Sequence, residues 1–326
     1  MITPTWSGAV RGGEHIIEPP QPSSIRVRFD SLVITTTAVP PTTPSTWQPT
    51  VPTRERLPAR TDVYDVVRSG SRDRVPLSGV LIDRVGLPEA ARRLEAFLTI
   101  DRLHQVVTVN LDFLRIAQAD PGFRDTINEA DLAVADGMPL VWASRIAGLG
   151  LPERVTGIEL VDACCRLSAA TGRALFLLGG RPGIAEEAAR TVQRRYPGAV
   201  VAGTYAPPFG PLSPHDDREI VDRINGSGAR ILLVALGAPR QDTWIRAHHR
   251  ELDVSVAIGV GCTLDILAGA FPRAPYWMRQ MGLEWLHRFR CEPARLGRRY
   301  FVDDMPMFAR LMAETVQVSR GGPRWH

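Results

Sequence analysis

From Leu77 onward, short apolar runs alternate with stretches of helical spacing, and this order restricts the fold more than any other property of the chain. Residues 79–84, 104–109, 132–135, 174–178, 200–205, 231–236 and 254–258 read as strands, most of them followed by a helical pattern. Residues 87–100 show the helical case: Ala90, Leu94, Phe97 and Leu98 fall on one face, and Pro88 stands near the start, where a missing N–H leaves no bond unmade. Strands that are apolar on both sides and joined by helices predict an α/β fold, a Rossmann-like, mainly parallel sheet with helices on both faces. Such sheets bind ligands beyond the carboxyl ends of their strands, so the residues that follow each strand carry the functional information.

The flanks differ from this core. Residues 1–75 read as a disordered N-terminal region, because positions 35–58 are dominated by Thr, Pro and Ser, and a possible strand at 27–35 has nothing nearby to cover it. Residues 76–270 then form the α/β domain, and residues 271–326 a helical segment rich in arginine. The composition of the whole chain is that of an ordinary soluble protein, with 44% hydrophobic residues and a mean hydropathy of −0.07. Met1 to Glu14 lacks the apolar run of a signal peptide, and no stretch has the roughly 18 apolar residues of a spanning helix. The expected location is therefore cytoplasmic, with any membrane contact peripheral. Cys164, Cys165, Cys262 and Cys291 show no CxxC spacing and read as reduced, mostly buried thiols.

All 39 basic residues counted as Lys or Arg are arginine, so every such cation is a planar, permanently charged group suited to phosphate. A net charge of +4 and a pI near 9.1 favour an anionic partner without identifying it.

Two polar insertions follow buried strands: Thr108-Val109-Asn110, then Ala135-Asp136-Gly137-Met138-Pro139. Their separation suits neighbouring parallel strands joined by a helical crossover, which would bring Asn110 and Asp136 to one cleft. A carboxylate there is a candidate general base. The competing reading is that Asp before Gly makes a turn or caps a helix. Three glycine-bearing turns follow later strands: Leu178-Gly179-Gly180-Arg181-Pro182-Gly183, Leu236-Gly237-Ala238-Pro239-Arg240-Gln241-Asp242, and Gly259-Val260-Gly261-Cys262. Each alone is explained by strand-to-helix geometry; together at one sheet edge they point to a nucleotide-type ligand. From Arg273 to His326 there are ten arginines against five acids, interleaved with aromatic and aliphatic residues, a pattern that fits a surface meeting both phosphate and lipid.

At this point the residues match a family. Residues 77–308 resemble the WecG/TagA/CpsF glycosyltransferases of bacterial cell-surface polysaccharide assembly. The resemblance rests on an ordered set: Thr-x-Asn at 108–110, Asp136-Gly137, Arg154-Val155-Thr156-Gly157, Leu178-Gly179-Gly180, Gly237-Ala238-Pro239-Arg240-Gln241, Arg273-Ala274-Pro275, Glu284-Trp285-Leu286-x-Arg288 and Glu292-Pro293-x-Arg295-x-x-Arg298. It implies an inverting transfer of a hexose-type sugar (N-acetylmannosamine, its uronic acid or a neutral hexose) from a UDP-sugar to a polyprenyl-diphosphate-linked saccharide. It also implies that no metal or other cofactor is needed, and that the enzyme works against the anionic inner face of the plasma membrane, with no role for nucleic acid. Asp136 takes the place of the general base. Thr108 and Asn110 would orient a substrate hydroxyl, and Arg154 is a further candidate beside the base or against a uronate carboxylate. Gly179, Gly180, Gly237 and Gln241 would contact the donor. Arg288, Arg295 and Arg298 would reach back over the site to meet phosphate charge. Their spacing approximates whole helical turns, although Pro293 argues against one unbroken helix. Val109, Pro139, Glu159, Asp242 and Leu264 depart from the usual family residues without removing a proposed catalytic group.

Two other classes compete with this one. A nicotinamide-dependent oxidoreductase would share the doubly wound sheet, but no strict GxGxxG follows the first strand and no ribose-binding acid stands at the expected offset. A non-catalytic lipid-binding assembly module would keep its activity in an Asp136→Asn variant. No HExxH, Walker A or Gly-x-Ser-x-Gly pattern is present, and the adjacent His248 and His249 face different directions on a helix. An apolar helix face and a subunit interface read alike, so the pattern is compatible with a homo-oligomer. Truncation near Phe271 is expected to leave a soluble core without activity.

Overall fold

The computed structural model describes residues 73–320, apart from 276, 279, 280, 282 and the side chain of Arg295. The readings made for residues 1–72, including the strand at 27–35, lie outside the described residues.

A six-stranded parallel sheet forms the centre. Its strands are β3 (His104–Val109), β4 (Leu132–Ala135), β5 (Leu175–Gly179), β6 (Val201–Tyr205), β7 (Ile231–Ala235) and β8 (Val256–Gly259), in the order β4-β3-β8-β7-β5-β6. All six overlap segments read as strands from the sequence, with β5 and β8 each running one residue further, to Gly179 and Gly259. Side-chain alternation divides them between two layers of helices. Val106, Leu132, Val134 and Ile258 face one layer, formed by α1 (Leu87–Phe97), α5 (Gly157–Thr171), α6 (Ile184–Arg195) and α9 (Thr263–Leu267). Val107, Val109, Ala133 and Ala135 face α2 (Leu111–Ala119), α3 (Pro121–Glu129) and α4 (Met138–Ile146). Beneath β5 and β7, Phe176, Leu178, Leu232 and Val234 pack with α7 (Pro214–Gly226) and α8 (Arg240–Ala247).

The first predicted strand departs from expectation. Val80–Asp83 (β2) does not join the parallel sheet; it pairs antiparallel with β1 (Arg74–Leu77), a strand the sequence reading did not identify. The cause is the two-residue turn between them: Ser78 and Gly79 both have positive φ, 48° and 79°, the twist that suits a tight hairpin.

The C-terminal segment contains α10 (Glu284–Cys291), α11 (Pro293–Arg298), a π-helical turn over Arg299–Asp304 and α12 (Met305–Ser319). The break between α10 and α11 falls at Glu292, just before Pro293, as proline geometry requires. This segment is built into the fold. Met307 and Leu311 are buried in the same apolar cluster as Leu140, Val141 and Ala143 of α4. A charge network fixes the same region: Arg299 pairs with Asp112 at 3.1 Å, and Arg115 pairs with Asp112 at 2.6 Å. Truncation near Phe271 would therefore open the core, contrary to the expectation from sequence.

Candidate active site

The parallel register of β3 and β4 sets Val109 opposite Ala135, and the N–H of Asp136 donates to the carbonyl of Val109 at 2.7 Å. Asn110 and Asp136 are thus neighbours one step beyond the carboxyl ends of adjacent strands. Their roles differ. Asn110 is the N-cap of α2, its side-chain oxygen accepting from the Phe113 N–H at 3.2 Å. α4 starts from Gly137 without any side-chain cap, so the Asp136 carboxylate is not used to hold a helix end. The capping reading therefore applies to Asn110 and fails for Asp136.

Asp136 keeps part of its surface accessible, yet its carboxyl is pushed up to about 6, first by desolvation. The guanidinium groups of Arg288 and Arg154 oppose that rise, while the carboxylates of Glu284 and Glu159 add to it. A carboxyl in this range is deprotonated at neutral pH and still basic enough to accept a proton from a hydroxyl as bonds change.

The surrounding groups come from three elements. The loop before α5 is tied to β4 by the Val155 N–H, which donates to the Ala135 carbonyl at 2.9 Å, and this sets Arg154 beside Asp136. Arg154 Nη1 donates to Glu284 Oε2 at 3.0 Å, and both side chains are largely buried. Arg288 stands one helical turn beyond Glu284 on the same face of α10. Burial works against the Arg288 charge, but the nearby carboxylates of Glu284 and Asp136 help to outweigh it and raise its affinity for the proton. At the third side, Thr156 and Glu159 close a reciprocal capping box at the start of α5.

Other predicted residues are set deeper. Thr108 is buried and donates to the Gly259 carbonyl at 3.3 Å, below Gly157 at the first turn of α5. Gln241 is also buried, and its side-chain oxygen accepts from the Gly261 N–H at 3.0 Å, joining the start of α8 to the loop after β8. Gly179 is pressed against the backbone of Ala235, where a Cβ would lie 2.5 Å from the carbonyl oxygen, and the Gly180 N–H donates to that same carbonyl. Gly237, with φ of 81°, is exposed at the strand end. Of the three C-terminal arginines, Arg288 joins the group around Asp136 and Arg298 is exposed at the end of α11; the side chain of Arg295 lies outside the described residues.

Two acids were missed by sequence reasoning. Glu284 appeared only as part of a motif, and its link to Arg154 spans 130 residues. Asp242 was noted only as a departure, yet it is fully buried, next to Gly259, and its carboxyl is pushed up to about 7 by desolvation. The four cysteines are unpaired; Cys164 and Cys165 are buried while Cys291 is exposed. Among the described residues, the one cluster with metal-like spacing is His215, Asp216 and Glu219 on α7. Asp216 there already closes the capping box with Ser213.

Comparison with known proteins agrees with the motif pattern. A family model described as "Glycosyl transferase WecG/TagA/CpsF family" matches residues 75–321. Relatives from Staphylococcus aureus strains NCTC 8325 and COL are each 30% identical over 237 residues, covering 72% of this chain and 90% of theirs. A relative from strain MRSA252 gives the same identity and coverage. All three are named N-acetylglucosaminyldiphosphoundecaprenol N-acetyl-beta-D-mannosaminyltransferase.

Proposed function

Because the chain belongs to the WecG/TagA/CpsF glycosyltransferase family, we propose that it transfers N-acetylmannosamine from a UDP-sugar to a polyprenyl-diphosphate-linked N-acetylglucosamine. The observation that carries the mechanism is Asp136: a carboxyl at the sheet's ligand-binding edge, not used as a cap, flanked by two guanidinium groups and pushed up to about 6.

The acceptor hydroxyl gives its proton to the Asp136 carboxylate while its oxygen attacks the anomeric carbon. The bond from that carbon to the UDP oxygen breaks, and its electron pair leaves with the diphosphate. An α-linked donor gives a β product by this single displacement, in keeping with the β linkage in the relatives' name. General-base assistance of this kind contributes about 10² to 10⁴ in rate. The charge that develops on the diphosphate is met by Arg288, with Arg295 and Arg298 as further phosphate contacts, and without a metal ion. Gly179, Gly180 and Gly237 let the donor approach the backbone at the strand ends.

The pairing of Arg154 with Glu284 favours N-acetylmannosamine over its uronic acid, since the guanidinium expected to meet a uronate is already neutralised. The acceptor lipid brings the reaction to a membrane. No helix among the described residues is long and apolar enough to cross one. Trp277, Met281, Trp285, Phe301 and Val302 are exposed in the C-terminal segment beside Arg290 and Arg298, and this face fits a peripheral contact with anionic lipid.

The test is transfer itself: purified protein, acceptor lipid in vesicles, and UDP-N-acetylmannosamine, its uronic acid or UDP-glucose as donor, with product mass as the readout. A mass increase of one N-acetylhexosamine from the first donor is expected. Transfer from the uronic acid or glucose donor alone would refute the sugar assignment.

A further inference from the structure

Glu284 is a buried acid at the first position of α10, a place where the helix dipole favours a negative charge. It does not pair with its own helix alone. Its carboxylate accepts from Arg154 at 3.0 Å across 130 residues of chain, with side-chain exposures of 15% for Arg154 and 9% for Glu284. Burial would favour the neutral acid, but Arg288, Arg154 and Arg273 outweigh it and hold the carboxyl below its ordinary range, so Glu284 is an anion at neutral pH.

Two anions and two cations thus act on one another: Asp136 and Glu284 each feel the charges of Arg288 and Arg154. Without Glu284, both guanidinium groups would have Asp136 as their nearest anion in this set. A base held in two strong ion pairs would be a poor proton acceptor, because each cation stabilises its charged form. With Glu284 present, the two cations are shared between two anions. They remain close enough to meet phosphate charge, and the base keeps its affinity for a proton.

On the reading that Asp136 is the general base, we propose that Glu284 is a positioning residue for the transfer reaction, holding Arg154 in place and dividing the charge of Arg154 and Arg288 with Asp136. The same contact couples docking of α10 to assembly of the site, since Arg154 belongs to the α/β domain and Glu284 to the C-terminal segment.

The test uses the full-length protein with the nearly isosteric Glu284→Gln, whose amide oxygen still accepts from Arg154. Two readouts are taken: the titration of Asp136 by carboxyl-carbon NMR, and the acid limb of kcat/KM for sugar transfer. The charges facing Asp136 are Arg288 and Glu284 from α10, Arg154 from the loop before α5, and Glu159 from α5. Removing Glu284 takes away one anion and frees two cations, so the expected shift is downward, by about one unit for both readouts. Turnover falls roughly tenfold or more, as the base weakens and Arg288 is drawn toward it. Unchanged Asp136 titration in a folded Glu284→Gln protein would overturn the proposal, as would loss of turnover with an unmoved pH profile, the mark of a purely structural contact. If the glutamine variant does not fold, Glu284→Asp is read instead: it keeps the charge but withdraws it by one methylene, and a smaller downward shift of Asp136 is expected, with no shift again contradicting the proposal. Because NMR titration needs no substrate, a wild-type protein that transfers no sugar would refute the functional reading while leaving this test intact.

Discussion

The buried acid Asp242 yields a prediction that depends on the fold alone. Its residue is fully buried, and its carboxyl is pushed from 3.8 up to about 7 by desolvation, which outweighs the opposing effect of the neighbouring Gln241 amide. The folded protein therefore holds this proton to higher pH than the unfolded chain does. Stability from this group is complete below pH 3.8 and is lost as pH rises through about 7. One unit corresponds to 1.36 kcal/mol, so wild-type protein loses on the order of 3 kcal/mol between pH 5 and pH 8 from this residue. Asp242→Asn removes the titration and keeps the shape. The assay is urea unfolding of both proteins at several pH values, with the difference in unfolding free energy taken at each, so that titrations common to both cancel. Trp244, two residues along α8 and buried, supplies a local fluorescence signal. The variant should gain on wild type by about 3 kcal/mol from pH 5 to pH 8. A difference that stays constant across that range would show that Asp242 is ionised and solvated in the folded protein, and would refute the desolvation argument.

Further perturbations follow from the packing and the site. A Cβ on Gly259 would lie 2.4 Å from Asp242 Oδ1 and 2.5 Å from Gln241 Nε2, so Gly259→Ala should lower stability by about 1–3 kcal/mol in the same urea assay. Leu311→Ala empties a fully buried position between α12 and α4 and should lower unfolding free energy by about 2–5 kcal/mol, with truncation at Phe271 giving a protein that no longer unfolds cooperatively. Asp136 must be ionised to act as a base, so kcat/KM should fall as pH drops through about 6 and level off above it, measured by product formation across pH 5–8.

The sheet was legible because β3, β4, β5, β7 and β8 are buried on both faces and therefore read as short, near-continuous apolar runs. β1 was not, since four residues interrupted by Pro76 give too little alternation, and its pairing depends on a turn conformation at Ser78 and Gly79. Asn110 and Asp136 were found from their place after strands, but one sequence pattern served two roles. Asn110 became a cap and Asp136 did not, a distinction set by where α2 and α4 begin. Gln241 was picked out as a donor-side contact, and its observed contact is instead with the Gly261 N–H, a partner supplied by another loop. Glu284 and Asp242 were hidden for the same reason. Burial of a polar side chain is decided by elements far away in sequence, and neither residue type nor local spacing records it.

The central claim is that Asp136 removes the acceptor proton, and the most direct measurement is single-turnover transfer of N-acetylmannosamine by wild type and Asp136→Asn at pH 7.5, alongside UDP affinity. The expected rate for the variant is lower by about 10² to 10⁴, with UDP binding and folding retained. A variant that transfers sugar at the wild-type rate would contradict it.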